Sequence, residues 1–174
     1  MDGMKWVVIR HDCLSLEEKH RIAELKDQHW PYGIDSQCQW MIENVKENDL
    51  HLMGIEETEE GAKLRAYATL QKVAASVDGL VQEMIGVGSV CVDKAFIQHG
   101  FGKQLMREAN HFIHEQSSVG ILLCKTILVG FYENCGWDKL EYQHATVAGK
   151  PFQICIMTLG NMRTCNEIEI DRNF

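Results

Sequence analysis

Apolar positions along the chain follow two periods, one of strands and one of helices. KWVVIR at 5–10 sets aromatic and branched residues side by side and predicts a strand. Ser15 and Glu18 form the capping-box pattern S-L-E-E, so a helix is expected through about Asp27, with Leu16, Ile22 and Leu25 on its apolar stripe. Trp30-Pro31-Tyr32-Gly33 breaks it. Ser36 with Gln39 resembles a second capping box and predicts a helix carrying Trp40, Met41 and Val45, ended by Asn48-Asp49. LHLMGI (50–55), LRAYATLQKVA (64–74) and MIGVGSVCV (84–92) then read as strands joined by short turns, the second turn at Asp78-Gly79. Such neighbours pair antiparallel.

A turn with Gly100 and Gly102 follows, and Leu105, Met106, Ala109, Phe112 and Ile113 continue it as a helix to about Gln116. VGILLC (119–124) is a continuous apolar run, as in a strand buried on both faces. TILVGFYENCG (126–136) reads as a short helix that Gly136 ends, and LEYQHATV and PFQICIMTL read as strands. The order β-α-α-β-β-β-α-β-α-β-β is that of an α/β fold with a mixed sheet. The strand–helix–strand crossing between 84 and 124 predicts a parallel pair, free to splay at its carboxyl ends. Ligands bind at such strand ends. No repeat or linker interrupts the pattern, so one domain spanning 1–174 is expected.

Composition narrows the function. The chain has 174 residues, 45% of them hydrophobic, and a net charge of −8. An acidic chain lacks the basic face that nucleic acid requires, so no nucleic-acid partner is expected. No apolar run reaches membrane-spanning length, and the one at the N-terminus is too short for a signal peptide. Seven cysteines stand at wide spacing without a CxxC pair, which gives no zinc pattern. Cys91, Cys124 and Cys155 lie in apolar runs, so reduced thiols in a cytoplasmic protein are expected.

The chemistry concentrates at QHGFGK. The first amides of a helix have no internal partner and carry a positive dipole, and bare glycines let a phosphate approach them. Lys103 adds charge at the rim. The P-loop spacing and the dinucleotide fingerprint are both absent, so a tight turn without ligand remains the competing reading at this point.

VCVDKAFIQHGFGKQLM resembles the acyl-CoA-binding motif of the GCN5-related N-acetyltransferases, the GNAT superfamily. That pattern is a strand ending in Val, then Q/R-x-x-G-x-G/A opening a helix. Val92, Gly100 and Gly102 match it. Ile97 stands where the family prefers Gln or Arg, and Gln98 falls one place late. FYENCGW (131–137) resembles the family's aromatic–Tyr–Glu–x–x–Gly–aromatic segment after the buried strand. The two motifs lie about 30 residues apart, in the family's order. The resemblance covers about 84–137 well and the rest in element order only. It implies a GNAT-like, mostly antiparallel mixed sheet with a splayed parallel central pair, flanked by helices.

It also implies transfer of an acetyl group from acetyl-CoA to a small-molecule or peptide amine, without a metal. Tyr132 falls at the family's general-acid position, and a phenol, with a reference pKa near about 10, is protonated at neutral pH and can donate. The same residue could instead be a helix aromatic packed on the core. Backbone groups of Val90, Cys91 and Val92 would pair with the pantetheine arm. Ile97, Gln98, His99, Gly100, Phe101, Gly102 and Lys103 would hold the pyrophosphate. Either a backbone group or Cys91 could polarise the thioester carbonyl. Glu83, His99, His111, His114, His144 or a water chain could serve as base. Trp30, Tyr32 and Trp40 are acceptor-lining candidates that could equally be core, with Asp35 and Glu43 near enough to attract a cationic amine. GNAT proteins are often dimers, and FQICIMTL could pair across a homodimer interface. The competing function is a GNAT-fold module that binds acyl-CoA or a protein without turnover, which Ile97 favours.

Overall fold

The computed structural model describes residues 4–174, and its α/β architecture is the expected one, a mixed sheet flanked by helices. The elements are β1 (Met4–Arg10), α1 (Leu16–His29), α2 (Ile34–Asn44), β2 (Leu50–Thr58), β3 (Gly61–Val77), β4 (Leu80–Val92), α3 (Phe101–Glu115), β5 (Gly120–Cys124), α4 (Val129–Glu133), β6 (Asp138–Lys139), β7 (His144–Val147), β8 (Lys150–Pro151), β9 (Cys155–Leu159) and β10 (Glu167–Ile170). Contacts divide the chain into two compact units. One runs to Leu70 and includes Ser89–Glu108; the other comprises Gln71–Gly88 and Ala109–Phe174.

In the first unit β1 pairs antiparallel with β2, and β2 with β3, in a register that sets Trp6 opposite Gly54 and Met53 opposite Tyr67. Ile22, Ala23 and Leu25 of α1 and Met41 of α2 bury against Met53, Tyr67 and Cys91. The capping box at α1 is present in both directions: Glu18 N donates to Ser15 Oγ at 3.2 Å, and Ser15 N to Glu18 Oε2 at 2.8 Å. The second expected box is absent. Helix α2 begins at Ile34, with Gly33 as its N-cap and no side-chain cap. The chain reverses earlier than Ser36 because Asp27 Oδ1 accepts from Gly33 N at 2.8 Å and Gln37 Nε2 donates to the Trp30 carbonyl at 2.6 Å.

In the second unit the strand order is β6-β9-β5-β4-β3-β10-β7-β8. Asp78 and Gly79, both with positive φ (49° and 83°), make the two-residue turn between β3 and β4. β4 and β5 are parallel, as the crossing predicts, and their ladder has two rungs, Ile85 with Gly120 and Gly86 with Ile121. Beyond these β5 runs on to Cys124 along β9 alone. That is the expected splay. A second parallel pair, β10 with β7, was not legible in the sequence. The late strands are also shorter than expected: LEYQHATV forms a strand only over His144–Val147, and PFQICIMTL forms β9 only over Cys155–Leu159. Residues 140–143 turn to the segment at 163–166 instead of extending β7: Glu141 N donates to Arg163 O (2.9 Å) and Gln143 N to Asn166 O (3.0 Å). The polar tail then supplies β10, whose Ile168 and Ile170 are buried.

The expected helix at 126–136 divides into a 3₁₀ turn, Thr126–Leu128, and α4. Gly136 ends it, as predicted. Its φ is 88°, its N–H reaches Glu133 O at 3.0 Å, and Trp137 N reaches Tyr132 O at 3.1 Å. These are the paired bonds of a Schellman cap, whose left-handed residue favours glycine. Trp137 is buried, and its Nε1 donates to Asn110 Oδ1 at 2.8 Å while Asn110 Nδ2 donates to Cys135 O at 2.8 Å. One asparagine thus ties the cap of α4 in place.

Candidate functional site

The glycine turn belongs to the first unit. After Val92 the chain makes a 3₁₀ turn at Lys94–Phe96, then passes through Ile97–Gly100 into α3. Gln98 and Gly100 both take left-handed φ, 75° and 84°. Glycine tolerates that; Gln98 does so at a cost of roughly 1 kcal/mol. The first intrahelical bond here runs from Gln104 N to Gly100 O at 3.1 Å. The amides of Phe101, Gly102 and Lys103 therefore precede any intrahelical acceptor. A Cβ built on Gly100 would meet nothing within 4 Å, so that face of the backbone is open. Gly102 is part of the helix and is not among the residues with positive φ, so backbone conformation does not demand its missing side chain. What its absence does supply is bare backbone for a close approach. Ile97 is half exposed, and Gln98, His99 and Lys103 are exposed. The turn can accept an anion such as a pyrophosphate.

Three contacts position this turn, none of them evident in the sequence. Arg65 Nε donates to Glu56 Oε2 at 2.9 Å and its Nη1 to Asp93 Oδ2 at 2.6 Å, with the guanidinium 4.2 Å from the centre of the Phe96 ring. The last turn of α1 supplies the other two. Gln28 Oε1 accepts from Lys94 N at 2.9 Å, and His29 Nε2 lies 2.6 Å from the Val92 carbonyl, where it is the donor. His29 thereby engages one of the strand carbonyls that the sequence assigned to pantetheine pairing.

Cys91 is buried in the core with α1 and α2, and burial pushes its thiol up to about 12. It stays protonated at neutral pH, which leaves the backbone as this residue's contribution to a thioester. Val90 and Val92 are half-buried on either side. Close by in the same core stands Lys26, 3% exposed, with Nζ 3.9 Å from the centre of the Trp40 ring. Desolvation pulls Lys26 down from 10.5 to about 8. Its folded value lies below the unfolded one, so at pH 7, below both, the full cost of holding the charge is present. Replacing Lys26 by Met is expected to raise stability by about 2 kcal/mol at pH 7, the lost cation–π contact offsetting part of the gain. Urea midpoints of the two proteins check it; a destabilised variant would show that the ammonium is compensated.

A second buried polar line crosses this unit. His11 Nδ1 lies 2.9 Å from His51 Nε2, and His51 Nδ1 lies 2.7 Å from Tyr67 Oη. His51 and Tyr67 are fully buried. Desolvation lowers His51 from 6.5 to about 3 and raises Tyr67 well above its ordinary value.

Tyr132 lies in the second unit on α4, 6% exposed, edge-on to Phe131 with ring centres 5.1 Å apart. Its carbonyl receives the Cys135 and Trp137 amides. Of the aromatic acceptor candidates, Trp30 and Trp40 both pack against the first unit's core, whereas Tyr32 is 72% exposed and stands apart. Among the base candidates, Glu83 pairs with Lys72 (3.0 Å) and His111 with Glu115 (3.2 Å), while His99, His114 and His144 are exposed. No cluster of three or more potential metal ligands occurs among the described residues.

No protein-family model and no curated protein sequence matches the chain. Solved structures do. Escherichia coli ElaA is 21% identical with a TM-score of 0.63, covering 90% of this chain and 99% of its own. An acyl-CoA N-acyltransferase from Pseudomonas aeruginosa is 17% identical, TM-score 0.63, covering 91% and 100%. The GNAT family N-acetyltransferase YhbS of Escherichia coli, solved in complex with CoA, is 15% identical, TM-score 0.63, covering 97% and 91%. The chain has the fold of the GNAT superfamily, which the two sequence motifs implied.

Proposed function

We propose that the protein is an N-acetyltransferase that moves an acetyl group from acetyl-CoA to a primary amine of a small-molecule or peptide acceptor. The observation that carries this reading is the turn at Ile97–Lys103, open at Gly100 and with the amides of Phe101, Gly102 and Lys103 ahead of the first helical hydrogen bond. The two-rung ladder of β4 and β5 supports it, because a splayed parallel pair exposes unpaired strand backbone. Backbone groups of Val90, Cys91 and Val92 hold the pantetheine arm, with His29 fixing the Val92 carbonyl. Phe101, Gly102 and Lys103 amides receive the pyrophosphate, and Lys103 screens its charge. Tyr132 protonates the departing thiolate. Trp30, at the C-cap of α1, and Trp40, on α2, border the acceptor. The whole chain acts as a single acyltransferase domain in the cytoplasm, a compartment that keeps thiols such as its free cysteines reduced. No helix among the described residues is long and apolar enough to cross a membrane.

Acetyl-CoA incubated with a panel of amines, including aminoglycosides, polyamines and peptide N-termini, should release free thiol with at least one of them. One observation favours a different reading. Ile97 presents an apolar side chain, half exposed, at the position where GNAT motifs carry Gln or Arg. A non-catalytic acyl-CoA-binding module would show cofactor binding without thiol release on every acceptor.

A further inference from the structure

Cys124 is the last residue of β5 and Cys155 the first of β9, and the antiparallel register sets them directly opposite each other on the terminal rung. Directly opposite residues point to the same face with Cβ atoms roughly 4.5–5.5 Å apart, close to what a disulfide requires. Being terminal, the rung can close further without disturbing Leu123 and Ile156 beneath it. The pair is asymmetric. Cys124 is 6% exposed, whereas Cys155 is half-buried and its Sγ lies 3.6 Å from Thr126 Oγ1, at the rim. Among the described strand registers no other two cysteines face each other.

We propose that Cys124 and Cys155 form a reversible redox pair that takes a low-molecular-weight disulfide, such as oxidised glutathione, as its oxidant. The Cys155 thiolate attacks one sulfur of glutathione disulfide. That S–S bond breaks, and one glutathione leaves as thiolate and takes a proton from water. Cys124 then gives its proton to solvent and attacks Cys155 Sγ, expelling the second glutathione. Two protein thiols become one disulfide as one glutathione disulfide becomes two thiols. Burial, which pushes the Cys124 thiol up to about 11, assigns the first attack to Cys155. The bond staples the end of β5 to β9 just before the chain turns through Thr126–Leu128 into α4.

The pair goes beyond the acetyltransferase reading and does not depend on it. The test is to incubate the full chain with excess oxidised glutathione, alkylate, digest without reductant and map the peptides by mass spectrometry. The expected product is one cross-linked peptide joining Cys124 and Cys155, two hydrogens lighter, lost on treatment with dithiothreitol. Cys155→Ser should leave Cys124 fully alkylated. Amide exchange over 125–133 should slow in the oxidised protein and recover on reduction. Glutathione retained on Cys155 with Cys124 still a thiol, Cys124 joined to any other cysteine, or exchange unaltered by the cross-link would each overturn the proposal.

Discussion

Tyr132→Phe should lower kcat about 100-fold while the affinity for CoA barely changes. The substitution removes one hydroxyl from a side chain that is 6% exposed and packed edge-on against Phe131. The carbonyl that closes the helix cap with Cys135 and Trp137 is backbone, so α4 keeps its geometry. Asn110 still holds Trp137. On the proposed role, the variant loses a proton at the departing sulfur, a transition-state interaction, and such losses appear in kcat rather than in binding. Steady-state thiol release and calorimetric CoA titration on the same preparations check both halves. Unchanged turnover would return Tyr132 to the core.

The second large effect is on stability in acid. His51 is fully buried between His11 and Tyr67 and is lowered to about 3, against 6.5 when exposed. Below pH 6.5 the unfolded chain therefore binds a proton at this histidine that the folded chain does not. Stability falls as pH falls, by about 1.4 kcal/mol per pH unit from this group, or about 2 kcal/mol between pH 6.5 and 5. The loss continues until pH nears the folded value. His51→Asn should fold less stably at pH 7 but with a shallower acid slope, the difference amounting to about one proton in urea midpoints taken across pH 7 to 5. Parallel slopes for the two proteins would show that His51 takes up its proton while folded.

Local rules were legible where one residue type dictates one backbone state. Asp78-Gly79, the Ser15–Glu18 box and Gly136 were read from the sequence and stand where expected. Ser36–Gln39 had the right pattern and lost, because Asp27 and Gln37 anchor the preceding turn and start the helix at Ile34. The segment EIEI is too short and too charged to announce a strand, yet pairing with β3 and β7 makes it one. LEYQHATV was expected to be a strand throughout, but backbone bonds from 140–143 to 163–166 leave only His144–Val147 as one. At the glycine turn the sequence named the turn itself and missed its supports. Arg65, Gln28 and His29 are distant in the chain, and only folding brings them to Asp93, Lys94 and Val92. His51 was hidden for the same reason: inside LHLMGI its position shows only which face it takes, and its two partners come from β3 and the turn after β1.

Calorimetric titration of CoA into the protein and its Gly102→Val variant tests the central claim most directly. Gly102 lies in the helix with no positive φ, so backbone conformation does not forbid valine there, and its branched side chain would crowd the approach to the exposed amides. The account predicts saturable binding at one site for the natural sequence and at least about tenfold weaker binding for the variant, a loss of about 1.4 kcal/mol or more. No heat of binding to the natural sequence, or equal affinity in the two proteins, would contradict it.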